Sequence, residues 1–404
     1  MRAQKGSSHF PLRGLRVVEL GDFIAAPYCA RLLADAGADV VKVEHPGGDS
    51  ARREGPFLDD HPAPDKSALF AFANRGKRSI VLDPASKGDR DVLLRLVGQA
   101  DVLVHDFSSL AESPVRVDGE RLRSRYPSLI VTSITPFGES GPHSQYKADD
   151  LVSVCMGGVA WATPGFPDYA ADPEQEPPLR SNAYISEFIG GGMGAVGTMV
   201  ALLAREMTGQ GESVEVSKQE ALACMLFWDL AHYGYGGEVV GRHPVGTRLA
   251  PNHYLPCADG WMAVVAFLEH HWHSLLGLMD SPSWAQDPRF ATGVERGANW
   301  HELEPLLLSW LLNQPAMQLF GRAQSVGIPI APALSIATAC ENEQAQARQY
   351  LVPTGIPGDA HGRLPGNLYF INGRRRSTSV AVPRLGQHTR QVLKEWLGVK
   401  GRES

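Results

Sequence analysis

Short apolar runs alternate with helical patterns in the first third of the chain. Residues 15–20 (LRVVEL) have the length and composition of a buried parallel strand. A helix rich in Ala and Leu is expected from about Pro27 to Ala36, where Gly37 ends it, and residues 40–43 form the next apolar run. This strand–helix–strand order predicts a parallel sheet with right-handed crossovers.

The same alternation continues as far as residue 134. We expect strands at residues 79–82, 102–105 and 129–134, and a helix at residues 88–98. Together these elements predict a doubly wound α/β domain whose ligand crevice lies beyond the carboxyl ends of the strands. The turn after the first strand, GDFIAAP, lacks the GxGxxG dinucleotide fingerprint, so the sequence does not predict a conventional nicotinamide site.

The second half of the chain contains longer helices and the pattern of a smaller domain. A helix of small residues at 193–205, a strand around 214–216 and a helix at 218–232 complete the first part. After a glycine-rich linker, a strand at 260–267 with helical blocks behind it predicts a small α+β domain.

Three segments follow from this organisation. Residues 1–224 are expected to form the first part of a large domain, and residues 225–335 the small domain. Residues 336–404 would then return to the large domain through a Pro/Gly-rich extended stretch and end in a helix at about 389–397.

Composition excludes several classes of protein. The chain has 404 residues with 43 % hydrophobic and 20 % charged residues, which is typical of a soluble globular protein. A net charge of −6 does not favour binding to nucleic acid or to an anionic membrane. The five cysteines are far apart and the segment MRAQKGSSHF lacks an apolar core, so we expect no disulfide framework, no signal peptide and a cytoplasmic location.

One candidate for chemistry stands in the stretch PLRSNAYISEFIGGGMG, residues 178–194. It contains the carboxylate of Glu187, followed by Gly190, Gly191 and Gly192. Glycines let the backbone approach a ligand closely, and a carboxylate held there can attack an acyl carbon to form an anhydride or thioester. The alternative is a surface glutamate at the end of a loop, with glycines that only allow a helix to pack closely. These residues alone favour the alternative.

Eight short motifs in a fixed order carry a family resemblance over about 380 residues. They are LRGLRVVELGDFIAAPYCARLLADAGADVVKVEHPGGD, NRGKRSIVLD, GPHSQYKADDLVSVCMGGV, TGQGESVEVSKQEA, ADGW, DPRF, GIPIAPA and PRLGQHTRQVL. Each is weak by itself, but in this order the chain resembles the class III CoA-transferases, which include formyl-CoA and carnitine CoA-transferases and α-methylacyl-CoA racemase.

The resemblance implies a fold, an assembly and a reaction. It implies a Rossmann-like large domain formed by both chain ends, a smaller α+β domain and an interlocked dimer. It implies transfer of CoA from an acyl-CoA, such as succinyl-CoA, to a carboxylic acid, with no metal and no cofactor beyond the CoA thioester. The family nucleophile is an aspartate, and Glu187 stands in its place. The extra methylene shifts the reacting oxygen by about 1 Å or more, a displacement that can cost about 100-fold in rate.

The resemblance also assigns positions that bind CoA. Ile24 and Ala25 match the first CoA-contacting turn, and Leu82 matches a position at the adenosine end. Asp106 and Phe107 stand where the family has Asn-Phe at the end of the strand that leads into the CoA pocket.

This chain departs from the family pattern at two places near these positions. The family's arginine and proline after Asn-Phe are replaced by Ser108 and Ser109, and Asp106 is expected to repel a CoA phosphate. The basic residues Arg75, Lys77 and Arg78 are candidates to supply the missing charge. Residues 246–251 are also poor in glycine where formyl-CoA transferase has a mobile glycine-rich lid.

Three functions remain open at this point. The chain is an active CoA-transferase with Glu187 as nucleophile, or a non-catalytic subunit that supports a paralogous catalytic chain, as in benzylsuccinate CoA-transferase. The third reading is an acyl-CoA racemase or isomerase, which is less favoured because Asp149 precedes Asp150 where the racemases have a histidine. The histidines of EHHWH (269–273) do not converge on one helix face, so no metal site is predicted.

Overall fold

The computed structural model describes residues 10–107, 119–163, 177–179, 181, 183–237, 239, 249–375 and 381–399. Contacts divide the chain into two compact units. The first contains Met1–Ala162, Leu179–Val239 and Gln346–Ser404, and the second contains Thr163–Pro178 and Val240–Ala345. Both chain ends therefore belong to the first unit.

A six-stranded parallel sheet forms the centre of the first unit. Its strands are β1 (Arg16–Leu20), β2 (Asp39–Glu44), β3 (Arg78–Val81), β4 (Val102–His105), β5 (Ile130–Thr135) and β6 (Ser213–Ser217). They are arranged in the order β3-β2-β1-β4-β5-β6, with every neighbouring pair parallel. The order reverses between β1 and β4, and this topological switch point is where ligands bind in doubly wound sheets.

Helices cover both faces of this sheet. Up to residue 162 they are α1 (Ala25–Asp35), α2 (Ala68–Asn74), α3 (Lys87–Val97), α4 (Gly119–Arg125), α5 (Asp150–Met156) and α6 (Val159–Ala162). Further along the chain they are α7 (Ile185–Thr208), α8 (Lys218–Ala223) and α9 (Phe227–Gly236). Short 3-10 turns are at Ser50–Arg53, Leu58–Asp60 and Cys224–Leu226. One core lies between the sheet and α1 with α7, and a second core lies on the opposite face under α3.

Helix α7 packs closely on α1 and β5 because its buried side is made of small residues. A Cβ on Gly191 would lie 2.5 Å from the Ala25 carbonyl oxygen, and one on Gly194 would lie 2.5 Å from Ile134 Cδ1. The glycines that follow Glu187 lie inside this helix, so their N–H groups serve its own hydrogen bonds. The length and composition of α7 would also suit a membrane span, but much of it is core.

The C-terminal segment of the chain returns to the first unit. It forms the ribbons β10 (Leu351–Pro353) with β11 (Arg363–Pro365) and β12 (Phe370–Ile371) with β13 (Arg374–Arg375), and then α16 (Thr389–Leu397). On α16, Trp396 donates a hydrogen bond to Asp39 at 3.1 Å, and Glu395 pairs with Arg78 at 2.6 Å. These contacts attach the end of the chain to the edge of the sheet that β2 and β3 form.

The second unit is a small α+β domain. Its antiparallel sheet has the order β7-β8-β9, with β7 (Asn252–Cys257), β8 (Gly260–Val265) and β9 (Ile330–Pro332). Its helices are α10 (Glu269–Leu278), α11 (Gly293–Ala298), α12 (Trp300–Leu311), α13 (Ala316–Ser325), α14 (Ile336–Glu341) and α15 (Glu343–Ala347), with 3-10 turns at Ser283–Gln286 and Pro288–Phe290. Helix α9 groups with the first unit, and the second unit continues to Ala345.

Candidate active site

Two cavities lie at the carboxyl ends of the strands of the parallel sheet. The first cavity, of about 260 Å³, has lining residues that include Leu20, Val43, Leu82, Leu93 and Phe107. The second cavity, of about 430 Å³, is lined by Asp22, Phe23, Ala25, Asp106, Ile134, Pro136, Ala148, Asp149, Asp150, Leu151, Tyr184, Glu187 and Lys218. Asp22 lines both, so the cavities meet where the strand order reverses between β1 and β4.

Glu187 lies in the first turn of α7 and faces the second cavity. Glu187 is only 6 % exposed, so the structure does not support the alternative that it is a surface glutamate at the end of a loop. The Nζ of Lys218 donates a hydrogen bond to Glu187 Oε1 at 2.5 Å, and both side chains are buried. A buried pair of this kind is strongly coupled because little water screens it.

The local structure explains why Lys218 reaches Glu187. Lys218 is the first residue of α8, directly after β6, and the Ser217 side chain caps this helix by accepting the Glu220 N–H. A Cβ on Gly190 would lie 2.8 Å from Lys218 Cγ, so the lysine stem runs through space that glycine leaves open. The sequence interpretation missed Lys218. The sequence feature that could have indicated Lys218 is its position at the carboxyl end of a predicted strand, where ligands bind in parallel sheets.

Acidic side chains orient the N-terminus of α7 and line the second cavity. Asp150 accepts hydrogen bonds from the Ser186 N–H at 2.9 Å and the Ser186 hydroxyl at 2.7 Å. Asp149 caps α5 by accepting the Val152 N–H at 2.9 Å. Both aspartates therefore have structural partners, and Asp150 holds the turn of α7 that carries Glu187.

Asp106 follows β4 and also faces the second cavity. Its carboxylate accepts a hydrogen bond from the Asp22 N–H at 2.8 Å. Burial raises the pKa of Asp106 to about 8; the charges of Asp22 and Glu187 act in the same direction, while the Asp22 N–H and Lys42 oppose them. At neutral pH this carboxyl is therefore mostly protonated, and the repulsion of a CoA phosphate predicted from the sequence is weak.

The predicted CoA-binding residues divide between the cavities. Ala25 and Asp106 line the second cavity beside Glu187, while Leu82 and Phe107 line the first. Ile24 is fully buried and packs beneath this region, outside the lining residues of either cavity. Ser108, Ser109 and residues 246–248 of the glycine-poor segment lie outside the described residues.

The basic residues proposed for the CoA phosphate have internal partners. Lys77 donates to Glu19 at 2.7 Å, to the Pro27 carbonyl at 2.7 Å and to Asn74 at 2.8 Å. Arg78 pairs with Asp39 and Glu395.

Arg75 is buried as well, and burial lowers its pKa to about 10. None of these three residues is among the described lining residues of the two cavities. Arg90, which the sequence interpretation did not single out, lines the first cavity and donates to the carbonyls of Pro84 and Ala85.

Metal-ligand clusters do not occur in the described part of the chain. There, no group of three or more His, Cys, Asp or Glu side chains is arranged to hold a metal ion. The site therefore contains a buried carboxylate with a lysine partner, a second carboxyl whose pKa is raised by burial, and space for a substrate.

Comparison with known proteins assigns the chain to a family. The sequence profile of CoA-transferase family III matches residues 12–389. The chain is 33 % identical to acetyl-CoA:oxalate CoA-transferase of Acetobacter aceti, over 90 % of each chain. It is 26 % identical to the succinyl-CoA–L-malate CoA-transferase alpha subunit of Chloroflexus aurantiacus, over 98 % of this chain and 91 % of the relative. The crystal structure of a CAIB/BAIF family protein from Brucella suis superimposes with a TM-score of 0.81 at 29 % identity, covering 96 % of this chain and 99 % of that one.

The chain has a parallel α/β sheet with a carboxylate-lined cavity at its switch point. The family profile matches nearly the whole chain, and this match makes the protein a CoA-transferase. The chain belongs to CoA-transferase family III. The family resemblance and the α/β fold predicted from the sequence are both confirmed.

Proposed function

We propose that this chain catalyses transfer of CoA from an acyl-CoA to a carboxylic acid, with Glu187 as the nucleophile. The observation that carries the proposal is the position of Glu187, which faces a cavity of about 430 Å³ at the switch point of the sheet. A subunit that had lost its chemistry would have no need to keep a carboxylate facing such a cavity.

The reaction needs only carboxylate and thioester chemistry. The Glu187 carboxylate attacks the thioester carbonyl, the carbon–sulfur bond breaks, and a mixed anhydride and CoA thiolate form. The thiolate then attacks the glutamyl carbonyl, which gives a glutamyl-CoA thioester and releases the donor's acid as a carboxylate. An acceptor acid reverses both steps, so no proton, electron or metal ion is consumed.

The two cavities suit the two ends of the CoA thioester. The adenosine end would lie in the first cavity against Leu82 and Phe107, and the thioester would lie near Ala25 and Asp106 in the second cavity. Asp22, which lines both, marks the passage between them. Succinyl-CoA is the proposed donor because several relatives carry it in their names.

We also propose that the chain works as an interlocked dimer in the cytoplasm. Large apolar side chains are exposed along one side of α7, among them Val200, Leu203 and Met207, and along α9, where Tyr235 is 96 % exposed. Surfaces of this kind mark protein interfaces. The second chain is an identical copy or a paralogue, and the relative described as an alpha subunit supports the heteromeric form.

Substitution of Glu187 tests the nucleophile directly. Glu187→Gln keeps the shape of the side chain but removes the attacking carboxylate, so turnover of succinyl-CoA with an acceptor acid should fall to background. Intact-protein mass spectrometry after mixing with succinyl-CoA should detect a CoA adduct on the wild-type chain and none on the variant. Glu187→Asp, which withdraws the oxygen by about 1 Å, should keep the adduct but react about 100-fold more slowly. Unchanged turnover in Glu187→Gln would refute the proposal and favour a supporting subunit.

A further inference from the structure

Lys218 is the one basic residue among the described residues that line the second cavity. The acidic residues that line the same cavity are Asp22, Asp106, Asp149, Asp150 and Glu187. An anionic acid substrate entering this cavity therefore meets acidic side chains and a single ammonium group. In the resting protein that ammonium is already paired with Glu187 at 2.5 Å.

The proposed reaction changes the charge of its partner. When Glu187 becomes an anhydride or a thioester, its carboxylate charge disappears, while the Lys218 ammonium stays in a site where its side chain is 7 % exposed. A buried ammonium without a counter-charge is unfavourable. In the same half-reaction the donor's acid is released as a carboxylate, so one negative charge is lost from Glu187 and one is created beside it.

We propose that Lys218 is the binding group for the carboxylate of the acid substrate. It pairs with Glu187 in the resting protein and with the released or incoming acid while Glu187 is acylated. This inference rests on the proposed function. It deepens that proposal by assigning acid recognition to a residue distinct from the nucleophile.

The surroundings of Lys218 favour this exchange over a purely structural role. Lys218 Nζ has three hydrogens, and one of them is directed at Glu187 Oε1. Lys218 lines the same cavity as Glu187, so an acid bound there would lie beside both residues. Gly190 has no side chain to block the lysine stem, and in the proposed exchange only the end of that stem turns from one carboxylate to the other.

A binding experiment that needs no turnover tests the inference. Glu187→Gln removes the competing carboxylate and leaves the ammonium free, so titration calorimetry with succinate should give tighter binding to this variant than to the wild type, by about 10-fold or more. The double variant Glu187→Gln/Lys218→Met should lose that gain. Equal succinate affinity of the single and double variants would overturn the inference. If the methionine variant does not fold, Glu187→Gln/Lys218→Gln offers a neutral hydrogen-bonding pair for the same comparison.

A kinetic experiment separates acid recognition from nucleophilic attack. The glutamyl-CoA adduct of Lys218→Met should react with succinate about 10- to 100-fold more slowly than the wild-type adduct. Its reaction with hydroxylamine, a neutral nucleophile with no carboxylate to bind, should change much less, and Lys218→Arg should recover part of the succinate rate.

Equal slowing with both nucleophiles would mean that Lys218 only positions Glu187, and would overturn the inference. Absence of any adduct on the wild-type chain would refute Glu187 as the nucleophile, and the calorimetry would still decide whether Lys218 binds the acid.

Discussion

The carboxyl group of Asp106 has a pKa of about 8 in the folded protein, against about 4 for an ordinary aspartate, chiefly because it is removed from water. The folded state therefore binds a proton at neutral pH that the unfolded chain does not bind. For a group with a raised pKa, the stabilising contribution is complete below the unfolded pKa and is lost as the pH rises through the folded pKa. Stability from Asp106 consequently decreases between about pH 4 and pH 8.

Asp106→Asn should remove this pH dependence. Asparagine keeps an oxygen for the Asp22 N–H but cannot ionise, so the free energy of unfolding of the variant should rise relative to wild type as the pH increases from 5 to 8.5. Urea unfolding at several pH values measures the difference. Asp91→Asn, at an exposed position of α3, serves as the matched control for removing one carboxylate elsewhere in the chain. A difference for Asp106→Asn that does not change with pH would contradict a raised pKa.

Individual residues of the site show what a sequence can predict about chemistry. Glu187 was identified because it replaces an aspartate within an ordered set of motifs. Lys218 was missed because its direction depends on the missing side chain of Gly190, 28 residues earlier in the chain. Lys77 pairs with Glu19 of β1 and Arg78 with Asp39 of β2, and such pairing is decided by tertiary structure, which local sequence does not reveal.

At the scale of the element, helix α7 connects packing with chemistry. Its first turn carries Glu187, and the next turns present Gly190, Gly191 and Gly194 to the rest of the core. The position of the carboxylate therefore depends on how closely the helix approaches α1 and β5. Any substitution that separates them should move Glu187 as well as lower stability.

Two adjacent glycines of α7 should respond differently to the same substitution. In Gly191→Ala the new Cβ would meet the Ala25 carbonyl oxygen at 2.5 Å, so overpacking should lower the free energy of unfolding by about 1–3 kcal/mol. Gly192→Ala has nothing within 4 Å, and the better helix propensity of alanine should stabilise the protein by about 0.5–1 kcal/mol. Urea unfolding of both variants makes the comparison. Equal effects would mean that α7 can shift away from α1 without cost.

The strands were predictable where they are buried on both faces. β1 to β5 lie within about one residue of the predicted ranges because central parallel strands are continuous apolar runs. The single helix expected at residues 218–232 is instead two helices separated by the 3-10 turn Cys224–Leu226. No glycine or proline marks that interruption, so local pattern could not reveal it.

At the scale of the whole molecule, the exposed apolar surface of the first unit requires an explanation. A groove of about 690 Å³ runs along α7, lined by α1 residues on one side and by Leu368, Tyr369 and Ile371 on the other. Leu203 is 66 % exposed and Met207 is 84 % exposed on the same helix. An apolar helix face of this extent is stable in water when another chain covers it.

Sedimentation of the purified chain should therefore give about twice the monomer mass of 43.8 kDa. Charges placed on the exposed face by Val200→Lys/Leu203→Lys should shift the protein towards monomer or aggregate, because desolvating two ammonium groups opposes association. Gln318→Lys, at an exposed polar position of α13, should leave the mass unchanged. A monomeric or insoluble chain that becomes a soluble dimer only when a paralogue with the catalytic aspartate is co-expressed would contradict a homodimer. That outcome would identify the chain as one subunit of a heteromeric CoA-transferase.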